Sequence, residues 1–488
     1  APSARRNSSL DFAALVNRQC QFERRSLLQT EHTGLKRHLK VRHIRLMALG
    51  STIGVGLFLG SASAIQMAGP SILLGYLLAG IVAFIVLRVL GEMAVHEPVA
   101  GSFAAYANSY VGPLAGYMVG WGYWTYWIVV GIAEVTAVGI YMGIWFPEIP
   151  QWIWALSSIV MMGLINLIAV KVFGEFEFWF ALIKVIAIVA MIALGGSVIL
   201  FGFTNNWQPI GLSNLWQHGG FFPNGISGMM LSLQMVLFAY VGIEMIGLSA
   251  GEAESPKKTI PMAIDSLAWR ILIFYMGAIL VILAIFPWNQ VGQQGSPFVV
   301  MFERIGLREA AGLINFVVIT AALSSCNAGI FSGGRLLYAL SSNGYAPASF
   351  SKLSRYGVPH RAVMATVGVC MSGVVLNYFV PDKAFHYIMA AVTFIGLMVW
   401  IAILLTQMRF RRSLTKAQVQ ELGYRAPWWP YSSWFALAFI LLVVVLMGFH
   451  EDARMALILG PCLLGVYLVM FYIVGLHRKT KTNPQFQS

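Results

Sequence analysis

Stretches of about 20 mainly apolar residues recur along this chain, and a stretch of that length is what an α-helix needs to cross the hydrocarbon core of a bilayer. They fall near residues 44–66, 71–95, 113–144, 152–170, 178–202 and 226–249, then 267–287, 310–340, 362–380, 385–408, 432–449 and 456–476. Inside a bilayer each backbone N–H and C=O has to be satisfied within the protein, which leaves helices or closed barrels, and windows this long belong to helices. Breakers such as Gly69-Pro70, Gly112-Pro113, Pro147 to Pro150 and Gly460-Pro461 punctuate the windows. The expected fold class is therefore an all-α polytopic membrane protein with 12 transmembrane helices.

Composition agrees. Of the 488 residues 58% are apolar and 10% charged, where a soluble domain has about 45–50% and about 25%. A mean hydropathy of +0.73, spread along the chain, leaves no block for a soluble second domain. A single membrane domain over 44–476 is expected, flanked by a basic, mostly disordered tail, 1–43, and a short tail, 477–488. The first 40 residues hold no apolar run of the kind a secretory signal needs. Cys20, Cys326, Cys370 and Cys462 lie far apart with no CxxC pair, so neither a disulfide framework nor a zinc site is expected.

The formal charge of +13 would suit nucleic acid if it formed a patch, but 28 of the 32 Lys and Arg residues fall on one side of the alternating windows. That asymmetry orients a membrane protein with its basic loops inside. Both termini are expected in the cytoplasm, the lipid bilayer is the expected surrounding, and nucleic acid drops out as a partner.

Three charges stand at membrane depth: Glu134 in the third window, Lys184 in the fifth and Glu244 in the sixth. Burying such groups costs at least a few kcal/mol, so each serves either a structural ion-pair network or a proton and substrate pathway. The first window contains Gly50-Ser51-Thr52-Ile53-Gly54-Val55-Gly56, a glycine density that disfavours continuous helix by roughly 1 kcal/mol per residue relative to alanine. It reads either as a broken helix, whose freed amides grip a carboxylate, or as a face for close helix packing. The sixth window decides between them: Phe238-Ala239-Tyr240-Val241-Gly242-Ile243-Glu244 again puts a glycine and a charge inside an apolar run. Interrupted helices at matching positions of two halves point to a transporter site. Five-window units then make 44–202 and 226–408 inverted halves, with the windows over 432–476 appended.

Several motifs in order now resemble the bacterial amino acid permeases of the amino acid, polyamine and organocation superfamily. They are RHIRLMALGSTIGVGLFLGSA (Arg42 to Ala62), LGEMAVHEPVAGSFAAYA (Leu90 to Ala107), KVFGEFEFWFALIKV (Lys171 to Val185), FAYVGIEMIGLSAGEAESPKKTIPMAI (Phe238 to Ile264) and IFPWNQVGQQGSPFV (Ile285 to Val299). The resemblance covers about residues 35–475 and is closest to the branch of proline-specific and histidine permeases, beside the aromatic amino acid permeases.

The resemblance implies a five-plus-five inverted-repeat (LeuT-like) fold with broken helices 1 and 6, importing an amino acid, histidine or proline first, with a proton across the cytoplasmic (inner) membrane. An aromatic or other amino acid permease, a sodium-coupled symporter and an exchanger are the alternatives. It implies that the substrate carboxylate sits on amides of Thr52, Gly54, Val55 and Gly56, and its amine on carbonyls near Ile53 and Phe238, Ala239, Tyr240 and Val241. Phe238 maps to the aromatic gate. Val55 stands where many relatives carry Ser or Thr, which shifts the weight to backbone donors. Lys184 matches the lysine that replaces a sodium ion, and Glu134 and Glu244 are the further proton-coupling residues. No catalytic residue, metal or cofactor is expected, and no obligate protein partner. Tyr123, Trp124, Tyr126 and Trp127, with Ser325, Asn327 and Ser332, are candidates for the pocket wall or for plain packing. Glu97 to Ala107 reads as a short amphipathic helix.

Overall fold

The structure is a computed structural model that describes residues 54–476 apart from short interruptions at 100, 169, 204, 250–254, 292–296, 305–307 and 356. The basic tail, the start of the first window with Thr52 and Ile53, and the tail 477–488 lie outside the described residues.

Every regular element among the described residues is helical. The chain runs through α1 (Val55–Phe58), α2 (Gly60–Ala68), α3 (Ile72–His96), α4 (Ser102–Tyr110), α5 (Pro113–Trp145), α6 (Gln151–Ile168) and α7 (Val170–Phe201). Then come α8 (Asn214–Gln217), α9 (Gly225–Phe238), α10 (Met245–Ser249) and α11 (Pro256–Arg270), whose π-helical continuation Ile271–Gly277 leads into α12 (Ala278–Ile285). The rest is α13 (Pro297–Arg304), α14 (Arg308–Ser342), α15 (His360–Cys370), α16 (Ser372–Phe379), α17 (Pro381–Ser413), α18 (Lys416–Glu421), α19 (Tyr431–Met447) and α20 (Glu451–Ile473).

Eight helical runs among the described residues are long and apolar enough to cross a membrane, and three shorter apolar helices accompany them. Among the described residues fewer long runs than windows result because α2 and α3 form one run, Gly60–His96, while the sixth window is interrupted after Phe238 and α19 has 17 residues. α5 has 33 residues, about 50 Å at 1.5 Å per residue, which exceeds a hydrocarbon core of about 30 Å.

Helices apolar all round belong in a protein core or in lipid, and burial separates the two. The most apolar window of Gly312–Ser342 is 83% buried, that of Ala453–Ile473 only 22%. α14 is thus central, packed against α5, α7 and α15. α20 and the outer faces of α6 and α7 expose large apolar side chains, Leu164, Trp179 and Ile186 among them, which suits lipid.

Two expected boundaries move. Gly460-Pro461 ends nothing: both residues lie inside α20, where Gly460 admits the Phe394 ring so closely that a Cβ would stand 2.1 Å from it. The amphipathic helix begins at Ser102, not at Glu97, because Pro98 resists helix and Gly101 takes a left-handed φ of +91° before the first turn.

One buried ion pair ties distant segments together. Glu92 near the end of α3 accepts from Arg411 through Nε and, at 2.8 Å, Nη2, from Gln407 Nε2 at 3.1 Å and from the Ala426 N–H at 2.6 Å. Both carboxylate oxygens are therefore served, the condition under which a buried pair repays its desolvation.

Candidate functional site

α1 begins abruptly. Gly54 is extended (φ −123°, ψ −164°) and its carbonyl accepts from Leu57 and Phe58 N–H. The N–H groups of Val55 and Gly56 fall in a first turn, which offers no intrahelical acceptor. Gly56 is there for space: a Cβ would stand 2.8 Å from Ala239 Cα.

Ala239 begins the second break. α9 stops at Phe238, the chain turns through Ala239 to Glu244, and α10 resumes at Met245. Gly242 carries the turn with φ +111°, a conformation that glycine adopts without steric cost. Its N–H donates to Glu244 Oε2 at 3.0 Å, and Trp400 Nε1 donates to the same oxygen at 2.9 Å. Glu244 thus braces the break.

Between the start of α1 and the break after Phe238 lies a cavity. Gly54, Gly56, Ala239, Val241 and Gly242 supply its backbone side; Tyr126, Trp127, Val130, Ala133 and Glu134 face it from α5, Ser325 and Ala328 from α14, Phe238 from α9 and Val392 from α17. The walls are apolar and aromatic, with two polar side chains. A Cβ on Gly54 would lie 2.9 Å from Glu134 Oε1 and 3.1 Å from Ser325 Oγ, so the carboxylate reaches the start of α1, facing the Val55 amide. Among the described residues Glu134 Oε2 has no hydrogen-bond partner.

Behind Glu134 the polar groups continue. Lys184 on α7 is 0% exposed and interacts electrostatically with two carboxylates, Glu177 on its own helix and Glu134. Glu177, also 0% exposed, accepts at Oε1 from Ser324 Oγ at 2.9 Å. Beside it, Asn327 on α14 accepts from Asn166 Nδ2 of α6 at 2.7 Å. Among the described residues no three His, Cys, Asp or Glu side chains are grouped to hold a metal.

Of the residues singled out in the sequence, Gly54, Gly56, Phe238, Ala239, Val241 and Glu134 come to this cavity. Thr52 and Ile53 lie outside the described residues. The Val55 side chain is buried in the core; only its amide turns to the site. Tyr240 departs from expectation. Its ring stacks on Tyr275 with centroids 4.8 Å apart and its hydroxyl donates to Tyr76 O, while its carbonyl accepts the Ile243 N–H. The turn at Gly242 points this residue away. Tyr126 and Trp127 line the cavity; Tyr123 stacks under Tyr126 at 5.3 Å, and Trp124 bonds Thr366. Ser325 lines it, whereas Asn327 belongs to the polar chain behind and Ser332 faces Met245. Glu177 went unnoticed in the sequence, although it stands seven residues before Lys184, two turns along one helix face.

The model of the family described as amino acid permease matches residues 43–483. Among curated relatives from Bacillus subtilis (strain 168), the uncharacterized amino acid permease YtnA is 53% identical over 452 residues, 93% of this chain and 98% of its own length. The probable threonine/serine transporter YbxG is 48% identical over 449 residues, 92% and 97% of the two chains. The amino-acid permease AapA is 43% identical over 449 residues, again 92% and 97%. The chain belongs to the amino acid permease family and is a multi-pass membrane protein of amino acid transport.

Proposed function

We propose that this permease is a secondary active importer that carries a small neutral α-amino acid together with a proton across the cytoplasmic (inner) membrane. The observation that carries the reading is the meeting of the start of α1 and the break after α9 at one cavity, with Glu134 between them. Amides of Thr52, Gly54, Val55 and Gly56 bind the substrate carboxylate, since a helix start offers donors and a favourable dipole. Carbonyls of Ile53, Phe238, Ala239 and Val241 receive its ammonium, and Phe238 closes the cavity. Glu134 and Lys184 carry the coupling proton, with Glu244 holding the second break in shape. The scaffold is a five-plus-five inverted repeat of 12 spans with both termini cytoplasmic, and access alternates by movement about the breaks.

For the side chain, threonine and serine come ahead of histidine and proline, towards which the sequence motifs lean. The name of YbxG supports the first pair, as does a cavity whose largely apolar walls carry the hydroxyls of Ser325 and Tyr126. Competition by twenty unlabelled amino acids against labelled threonine in proteoliposomes tests it. Inhibition by serine and threonine above all others is expected; indifference to both, with inhibition by histidine or proline, overturns the side-chain assignment.

A further inference from the structure

Glu177 is a buried carboxylate that the transport reading does not use. It lies off the cavity, on α7, yet belongs to the same electrostatic group as the residues that line it. Lys184 interacts electrostatically with both Glu177 and Glu134. Two carboxylates and one ammonium have a net charge of −1 when all are ionised, and an uncompensated charge in an apolar interior is costly.

The described groups packed around Glu177 do not supply the missing positive charge. α14 presents the Ser324 hydroxyl, which donates to Oε1, and the Asn327 amide. α6 reaches the group through Asn166, which is held by Asn327 and by Met162 O. α12 (Ala278–Ile285) has no titratable residue, and the π-helical stretch before it offers only Tyr275, whose hydroxyl donates to Ala239 O. Among the described residues Glu177 Oε2 and Glu134 Oε2 have no hydrogen-bond partner. Each carboxylate thus keeps one oxygen open to a proton.

Resting on the proton-coupled reading above, we propose that Glu177 is a second proton station: one proton is shared between Glu134, at the cavity, and Glu177, behind Lys184, and moves between them as the site is loaded and emptied. Lys184 keeps one negative charge to interact with whichever carboxylate is ionised. When a substrate carboxylate arrives beside Glu134, like-charge repulsion favours the proton on Glu134 and the negative charge on Glu177, next to the lysine. When substrate leaves, the preference relaxes and Glu134, at the cavity, gives the proton to water entering the opened site. Nothing but the proton is transferred: one carboxyl O–H bond breaks as the other forms.

Glu177→Gln, which keeps the shape and removes the ionisable oxygen, is the test. Purified wild type and variant are reconstituted and given the threonine, serine, proline and histidine panel, with a pH-sensitive dye trapped inside the liposomes. The variant is expected to lose amino acid accumulation driven by a pH gradient and the accompanying proton signal, while counterflow in the absence of a gradient persists. Ser324→Ala, which only removes the hydroxyl donated to Glu177, is expected to shift the pH profile of accumulation at unchanged expression. An unaltered pH profile in both variants overturns the proposal, as does a parallel loss of counterflow and accumulation in both, which marks a brace. Wild-type protein that moves amino acid without moving protons instead overturns the coupled reading itself.

Discussion

Adding a single methyl group at Gly54 or at Gly56 should separate the binding role of the first break from its packing role. Both sites have negative φ or helical backbone, so alanine is conformationally allowed and gains up to about 1 kcal/mol of helix propensity where the residue is helical. Their surroundings differ. A Cβ on Gly56 would meet Ala239 Cα at 2.8 Å and Ala239 N at 3.2 Å, backbone that cannot move without reshaping the turn before Gly242. Overpacking of this kind costs about 1–3 kcal/mol, which exceeds the propensity gain. Gly56→Ala should lower thermal stability in detergent. A Cβ on Gly54 would meet only side-chain tips, Glu134 Oε1 at 2.9 Å and Ser325 Oγ at 3.1 Å, which can yield into the cavity. Gly54→Ala should fold normally but obstruct the amides that take the substrate carboxylate. A hydrogen bond to a charged group is worth about 1.5–3 kcal/mol, and each 1.4 kcal/mol is tenfold. The dissociation constant should rise about 10- to 100-fold, and Gly54→Leu should abolish binding while leaving membrane insertion intact. Scintillation-proximity binding and melting curves read the two effects. Near-normal affinity in Gly54→Leu would refute the assignment of the carboxylate to the first break.

Other perturbations give different signatures. Lys184→Met should uncouple transport, with gradient-driven accumulation lost and exchange partly retained; accumulation with an unchanged dependence on external pH would make the lysine structural. Arg411→Leu leaves Glu92 buried without its charge partner, which costs about 3–5 kcal/mol, so the melting temperature should fall well below that of wild type; an unchanged melting temperature contradicts the anchoring role. Glu97, in the loop after α3, has its carboxyl pushed up to about 7 by burial, against the opposing hydrogen bond from Tyr110 Oη. Its pKa is raised in the folded state, so the fold binds the proton more tightly than the unfolded chain between about pH 4.5 and about pH 7, and stability falls as pH rises through that window. Glu97→Gln should flatten this slope in thermal melts; an unchanged slope assigns it elsewhere.

Much of this was legible in the sequence because the bilayer constrains so strongly. Runs of apolar residues gave the helices, and a glycine beside a charge, in Gly242-Ile243-Glu244, marked the interruption between α9 and α10. What stayed hidden depends on direction and distance. That Glu134 reaches Gly54, 80 residues away in sequence, follows from the crossing of α5 and α1 and not from any local pattern. That Tyr240 turns to Tyr275 follows from the φ of Gly242. Glu177 falls just before the fifth apolar window, which starts at residue 178, whereas α7 begins at Val170. Helical geometry was a usable signal, since seven residues turn the helix through nearly two full turns and put Glu177 and Lys184 on one face. Gly460-Pro461 misled because proline is tolerated in membrane helices whose neighbours re-satisfy the backbone.

Amino acid accumulation in proteoliposomes under an imposed pH gradient, at equal sodium on both sides, tests the central claim most directly. An inward proton gradient should drive labelled threonine or serine above its external concentration. A protonophore should collapse the pool, and replacing sodium by potassium should leave it untouched. Equilibration without accumulation, or accumulation that survives the protonophore and follows sodium, would contradict the account.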